Sequence, residues 1–169
     1  PLMAERLAVS VDVARAKWNN GAAVEDSARE AAILDQVASR APEHGVDPAQ
    51  GRGFFRAQME AGKLIQRALL AEWSAQRHLP FDPVPDLGRD IRPRLDQLTP
   101  RLLAALPTAG APPEPARIVQ EYPAPAGVAV EVWLKAWEVA LSPLGRAGGG
   151  VKMLHSTSIP APGGESPGQ

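Results

Sequence analysis

The stretch "ERLAVSVDVARAKWNNG", residues 5 to 21, decides the fold. At about 100° per residue, Leu2, Val9, Val13 and Ala16 form one apolar stripe and Met3, Leu7, Val11, Ala14 and Trp18 another, with Glu5, Asp12, Arg15 and Asn19 on the polar side. A helix apolar over so wide an arc has to be enclosed by neighbours, and Asn19-Asn20-Gly21 supplies its stop. Arg6 and Lys17 break the pattern. They lie about three turns apart and within roughly 20° of each other, in the middle of the apolar face. Buried cations are costly without anions, so both need partners.

Working outward, "VEDSARE" (residues 24 to 30) begins a second helix, with Asp26 or Ser27 as cap and an end before Pro42. Asp26, Arg29 and Glu30 stand at i, i+3 and i+4 on the side carrying Ile33, Leu34 and Val37, so charged residues face inward here too. Asp47-Pro48 starts a long third helix that runs to about His78, its first turns loosened by Gly51-Arg52-Gly53. On it Gln66 shares a face with Phe55, Met59, Leu69, Leu70 and Trp73, and Gly62 leaves room one turn earlier. A fourth helix covers Leu87 to Leu106, with Pro93 tolerated in its first turn and Pro100 expected to kink it. These elements predict an all-α bundle of about four main helices around one long central helix, occupying residues 1–106.

After that the composition changes. Residues 107–127 read as a Pro/Ala/Gly-rich linker, and residues 128–144 as a short apolar segment of unknown role, open between strand and helix, with Trp133 and Trp137 one turn apart. Residues 145–169 are expected to be a disordered tail.

The chain has 169 residues and a net charge of -1 with no long basic run, which removes the electrostatic drive for nucleic-acid binding. It has no cysteine, which excludes disulfides, thiol nucleophiles and thiolate metal ligands, and its three scattered histidines argue against a structural zinc. No apolar run approaches the roughly 20 residues that span a bilayer, and "PLMAERLAVS" lacks the pattern of a signal peptide. A mature exported protein would read the same way.

The simplest account of the inward charges is internal ion pairing, for instance Arg6 or Lys17 with Asp26 or Glu30. Their number points elsewhere. Three inward cations against two carboxylates and one amide leave a balance that a small dianion would complete.

In order and spacing, "ERLAVSVDVARAKW", "VEDSARE", "FFRAQMEAGKLIQ" and, more loosely, "DIRPRLDQL" resemble the all-helical chorismate mutases, in particular the secreted or periplasmic subclass with its active site inside one protomer. The resemblance covers about residues 1–106. It implies conversion of chorismate to prephenate, a unimolecular Claisen rearrangement without metal or cofactor, in aromatic amino-acid biosynthesis. Carried over by position, Arg6, Arg29 and Arg92 would hold the two substrate carboxylates. Lys17 would donate to the ether oxygen and a nearby carboxylate, Gln66 would be the second ether donor, and Glu30, with the backbone around Asp26, would accept from the substrate hydroxyl. Gly62 departs from relatives that carry Ser or Thr there, and the cysteine pair of some secreted relatives is missing. The resemblance implies a periplasmic or secreted location, with a cytoplasmic one compatible. Monomer and homodimer both stay open. Isochorismate pyruvate elimination on the same fold, or a non-catalytic helical binding module, are the alternative functions.

Overall fold

The structure, a computed structural model, describes residues 1–147. The expected disordered tail lies almost wholly outside the described residues. Within them every regular element is a helix, and there is no strand.

The first helix, α1 (Leu2–Asn20), ends on Gly21, whose φ of 67° is the left-handed conformation that glycine adopts at little cost. A short connection leads to α2 (Ser27–Arg40), capped by Asp26, whose side chain accepts from the Arg29 N–H at 3.1 Å. A single 3-10 turn at Ala41–His44 follows. Asp47 caps the 28-residue α3 (Pro48–Ala75), accepting from the N–H groups of Ala49 and Gln50 at 2.9 and 3.0 Å, with Pro48 as first helical residue.

Helix α3 stops at Ala75, three residues short of the His78 expected from the sequence. The chain turns where Arg77 takes a φ of 51°, a conformation that no residue type in this stretch announces. Asn19 then fastens the returning segment, donating to the Phe81 carbonyl and accepting from the Phe81 N–H, both at 2.8 Å.

The fourth helical region begins as a wide π-type turn at Leu87–Ile91, capped by Asp86, and continues as α4 (Arg92–Ala105). Pro93 sits in its first turn as expected, and α4 continues through Pro100 to Ala105. The proline-rich segment that follows contains α5 (Pro115–Glu121), whose Ile118 is buried. The apolar stretch beyond it is a helix, α6 (Val130–Ala147).

Because α3 is apolar on more than one face, it forms the axis of the molecule. On one side Ala61, Ile65, Leu69 and Trp73 pack with Leu7, Val11 and Ala14 of α1 and with Trp133, Ala136, Trp137 and Ala140 of α6. On the other, Phe54 and Phe55 pack with Leu34 and Val37 of α2 and Leu98, Leu102 and Leu103 of α4. Val9, Val13 and Ala16 of α1 meet Ile91 in a third cluster. Gly51 does not loosen α3; a Cβ there would come 3.2 Å from the Ala41 Cβ, so the missing side chain lets the end of α2 approach closely.

Candidate active site

Helices α1, α2, α3 and α4 leave a cavity of about 340 Å³ between them, within the size range of small-molecule sites. Arg6 and Lys17 come from α1, Asp26, Arg29 and Glu30 from the start of α2, Gly62 and Gln66 from α3, and Arg92 from the start of α4. All eight residues singled out in the sequence therefore line one space within one chain.

The internal pairing of Arg6 or Lys17 with Asp26 or Glu30 does not occur. The Lys17 ammonium donates to the Val24 carbonyl at 2.7 Å, in the connection between α1 and α2. Glu30 is instead paired with Lys63 of α3, whose Nζ lies 2.9 Å from Glu30 Oε2 and 2.6 Å from Glu60 Oε1. Glu25, at the rim, pairs with Arg67. This holds its carboxyl below the usual glutamate value. Among the described residues Arg6, Lys17, Arg29 and Arg92 enter no ion pair, so the cavity keeps an excess of positive charge.

Burial shapes that charge. Arg6 is 8% exposed, with Phe55 5.6 Å from its guanidinium carbon. Desolvation lowers its pKa to about 10, against the opposing pull of Asp96. Lys17 is also buried, and desolvation lowers its ammonium below the ordinary lysine value although Asp26, Glu25 and Glu30 work to raise it; Arg92 adds to the lowering. For Lys63 burial acts the same way, but the hydrogen bonds to Glu60 and Glu30 together outweigh it and leave the group raised. Gln66 is 7% exposed, and its Oε1, like Arg6 Nε, is buried without a hydrogen-bond partner among the described residues.

Three polar lining residues have no place in the sequence-based set: Ser10, Gln58 and Lys63. Lys63 carried a usable signal, since it stands four residues after Met59 and three before Gln66, on the face already read as inward. Gln58, 1% exposed, donates to the Ala140 carbonyl at 3.0 Å and ties the cavity wall to α6. Ser10 had no distinguishing mark in the sequence.

An all-helical bundle whose cavity presents four cations unpaired among the described residues, a buried amide and an ion-paired carboxylate has the electrostatics of a small-anion site. More narrowly, the chain belongs to the type II chorismate mutase family, whose pattern matches residues 1–67. A chorismate mutase of Methanocaldococcus jannaschii is 35% identical over 71 residues, covering 42% of this chain and 72% of that one. The secreted chorismate mutase of Mycolicibacterium smegmatis is 30% identical over 95 residues, 56% of this chain. The match spans only 52% of that relative's length, about half. The crystal structure of a chorismate mutase from Burkholderia thailandensis superposes with a TM-score of 0.71 at 39% identity, over 85% of this chain and 94% of the other. Among the described residues no helix is long and apolar enough to cross a membrane.

Proposed function

We propose that this chain catalyses the rearrangement of chorismate to prephenate, with a complete site in each chain. The reading is carried by one observation: four unpaired cations, the Gln66 amide and the ion-paired Glu30 share a single cavity. The reaction breaks the ether C–O bond as a C–C bond forms, with no proton or electron supplied by the protein. Catalysis then consists of compressing the enolpyruvyl arm over the ring and stabilising the charge that develops on the ether oxygen.

In this scheme the Arg6, Arg29 and Arg92 guanidiniums hold the two carboxylates, for which their planar forks are suited. Lys17 exchanges the Val24 carbonyl for the ether oxygen and an adjacent carboxylate, and the Gln66 amide N–H is the second ether donor. Glu30, held by Lys63, accepts from the ring hydroxyl beside the backbone of Asp26. Gly62 lines the same cavity and brings no side chain of its own into it. Export is part of the proposal, supported by the likeness to the secreted relative.

The test is incubation with chorismate and with isochorismate, identifying the products of each. Prephenate from chorismate is the expected result. Pyruvate with salicylate from isochorismate would assign a lyase, and turnover of neither would leave a binding module.

A further inference from the structure

Ser10 sits on α1 one turn after Arg6 and two turns before Lys17, so the three side chains emerge on the same face. It is 7% exposed and lines the cavity. Opposite it on α3 is Gly62. A Cβ at that glycine would lie 2.8 Å from Ser10 Oγ and 3.9 Å from Ser10 Cβ. The hydroxyl oxygen itself, not the backbone of α1, occupies the notch that the glycine leaves. Gln66 follows Gly62 by one turn, so the notch adjoins the buried amide as well as the two cations of α1.

A helical serine commonly turns its hydroxyl back onto the carbonyl four residues earlier, and a small polar residue between helices needs no ligand. What distinguishes Ser10 is its place. A rotatable hydroxyl on the same face of α1 as Arg6 and Lys17 lines the same cavity as these two cations, and its proton can be turned toward an anionic oxygen.

We propose that Ser10 is a substrate-binding residue, its hydroxyl donating to a carboxylate oxygen of the bound substrate from the notch left by Gly62. This rests on reading the cavity as a chorismate site. It adds a neutral donor on α1 to the charged ones and gives the bare position 62 a purpose: α3 must present no side chain where α1 presents a hydroxyl.

The test is a two-residue cycle read by steady-state kinetics on chorismate, with thermal melts confirming that each variant is folded. Ser10→Ala should raise KM roughly tenfold, the loss of one hydrogen bond to a charged group, and leave kcat within about twofold. Ser10→Thr, which keeps the hydroxyl, should lose far less. Gly62→Ala should also weaken binding, because its methyl displaces the Ser10 oxygen, but should cost little more once Ser10→Ala is present. A KM for Ser10→Ala within twofold of wild type would overturn the proposal, and so would losses that simply multiply in the double variant. Failure of the wild-type protein itself to turn over chorismate would remove the functional reading, and the role of Ser10 with it, and is distinct from either result.

Discussion

Replacing Gln66 with glutamate changes one NH2 for an oxygen in a side chain that is 7% exposed, so the packing is kept and the chemistry of one donor is altered. That position shares its cavity with Arg6 and Lys17, which favour a carboxylate. Once a dianion has neutralised those cations, burial and the substrate's own carboxylates reverse the preference and raise the pKa of the new group. The donor role then needs the protonated acid. Above that pKa the variant presents a carboxylate to an ether oxygen gaining negative charge, and losing one preorganised donor typically costs about 3 kcal/mol, or roughly a hundredfold in rate. As pH falls through the pKa of the bound complex, kcat should recover by up to about one decade per pH unit. The assay is chorismate consumption by Gln66→Glu and wild type across pH 5 to 9, at saturating and at low substrate. Wild-type activity at pH 8, or a profile parallel to wild type, would refute contact between Gln66 and the ether oxygen.

Other outcomes can be set beside it. Lys17→Ala should lower kcat roughly a hundredfold while leaving thermal stability almost unchanged, since a desolvated cation is removed along with its one hydrogen bond. In the wild-type protein kcat/KM should fall on the alkaline side at a pH below the ordinary lysine pKa, because the donor is the charged form of a lowered Lys17, and the limb for kcat should lie higher because the bound dianion favours the ammonium. Lys63→Met should raise KM for chorismate several-fold and should have little effect in a Glu30→Gln background, because its ammonium acts through the 2.9 Å pair with Glu30. Gly51→Leu should destabilise the protein by about 1–3 kcal/mol, seen as a lower urea midpoint at constant slope, because the side chain would meet Ala41, Val37 and Leu103.

The sequence was most legible where local chemistry alone determines the outcome. Asn19-Asn20-Gly21, Asp26 and Asp47-Pro48 place three helix ends correctly because caps and left-handed stops act within a few residues. The end of α3 was misplaced because Arg77, an arginine in the left-handed region, is held there by the returning chain that Asn19 anchors. Helix α5 was hidden by a proline-rich composition, although Pro115 stands at its first position, where proline fits. The 128–144 segment could not be assigned from periodicity alone. Its form as α6 follows from the face that α3 offers to Trp133 and Trp137. In the site, Arg6, Lys17 and Gln66 were visible because each interrupts an apolar stripe. Lys63 reads as an ordinary charged residue until Glu30, 33 positions away, is brought against it.

The hydrogen bond from Lys17 to the Val24 carbonyl joins a buried cation of the cavity to a connecting segment. The loop between α1 and α2 is thereby more than a spacer: its backbone accepts from the ammonium and occupies one of its donors. On the proposed reading, loop length consequently becomes a property of the site. A residue inserted between Gly21 and Glu25, which an exposed connection would ordinarily absorb at little cost, would move the carbonyl that parks the lysine, and its effect should be read in turnover before it is seen in a melting curve.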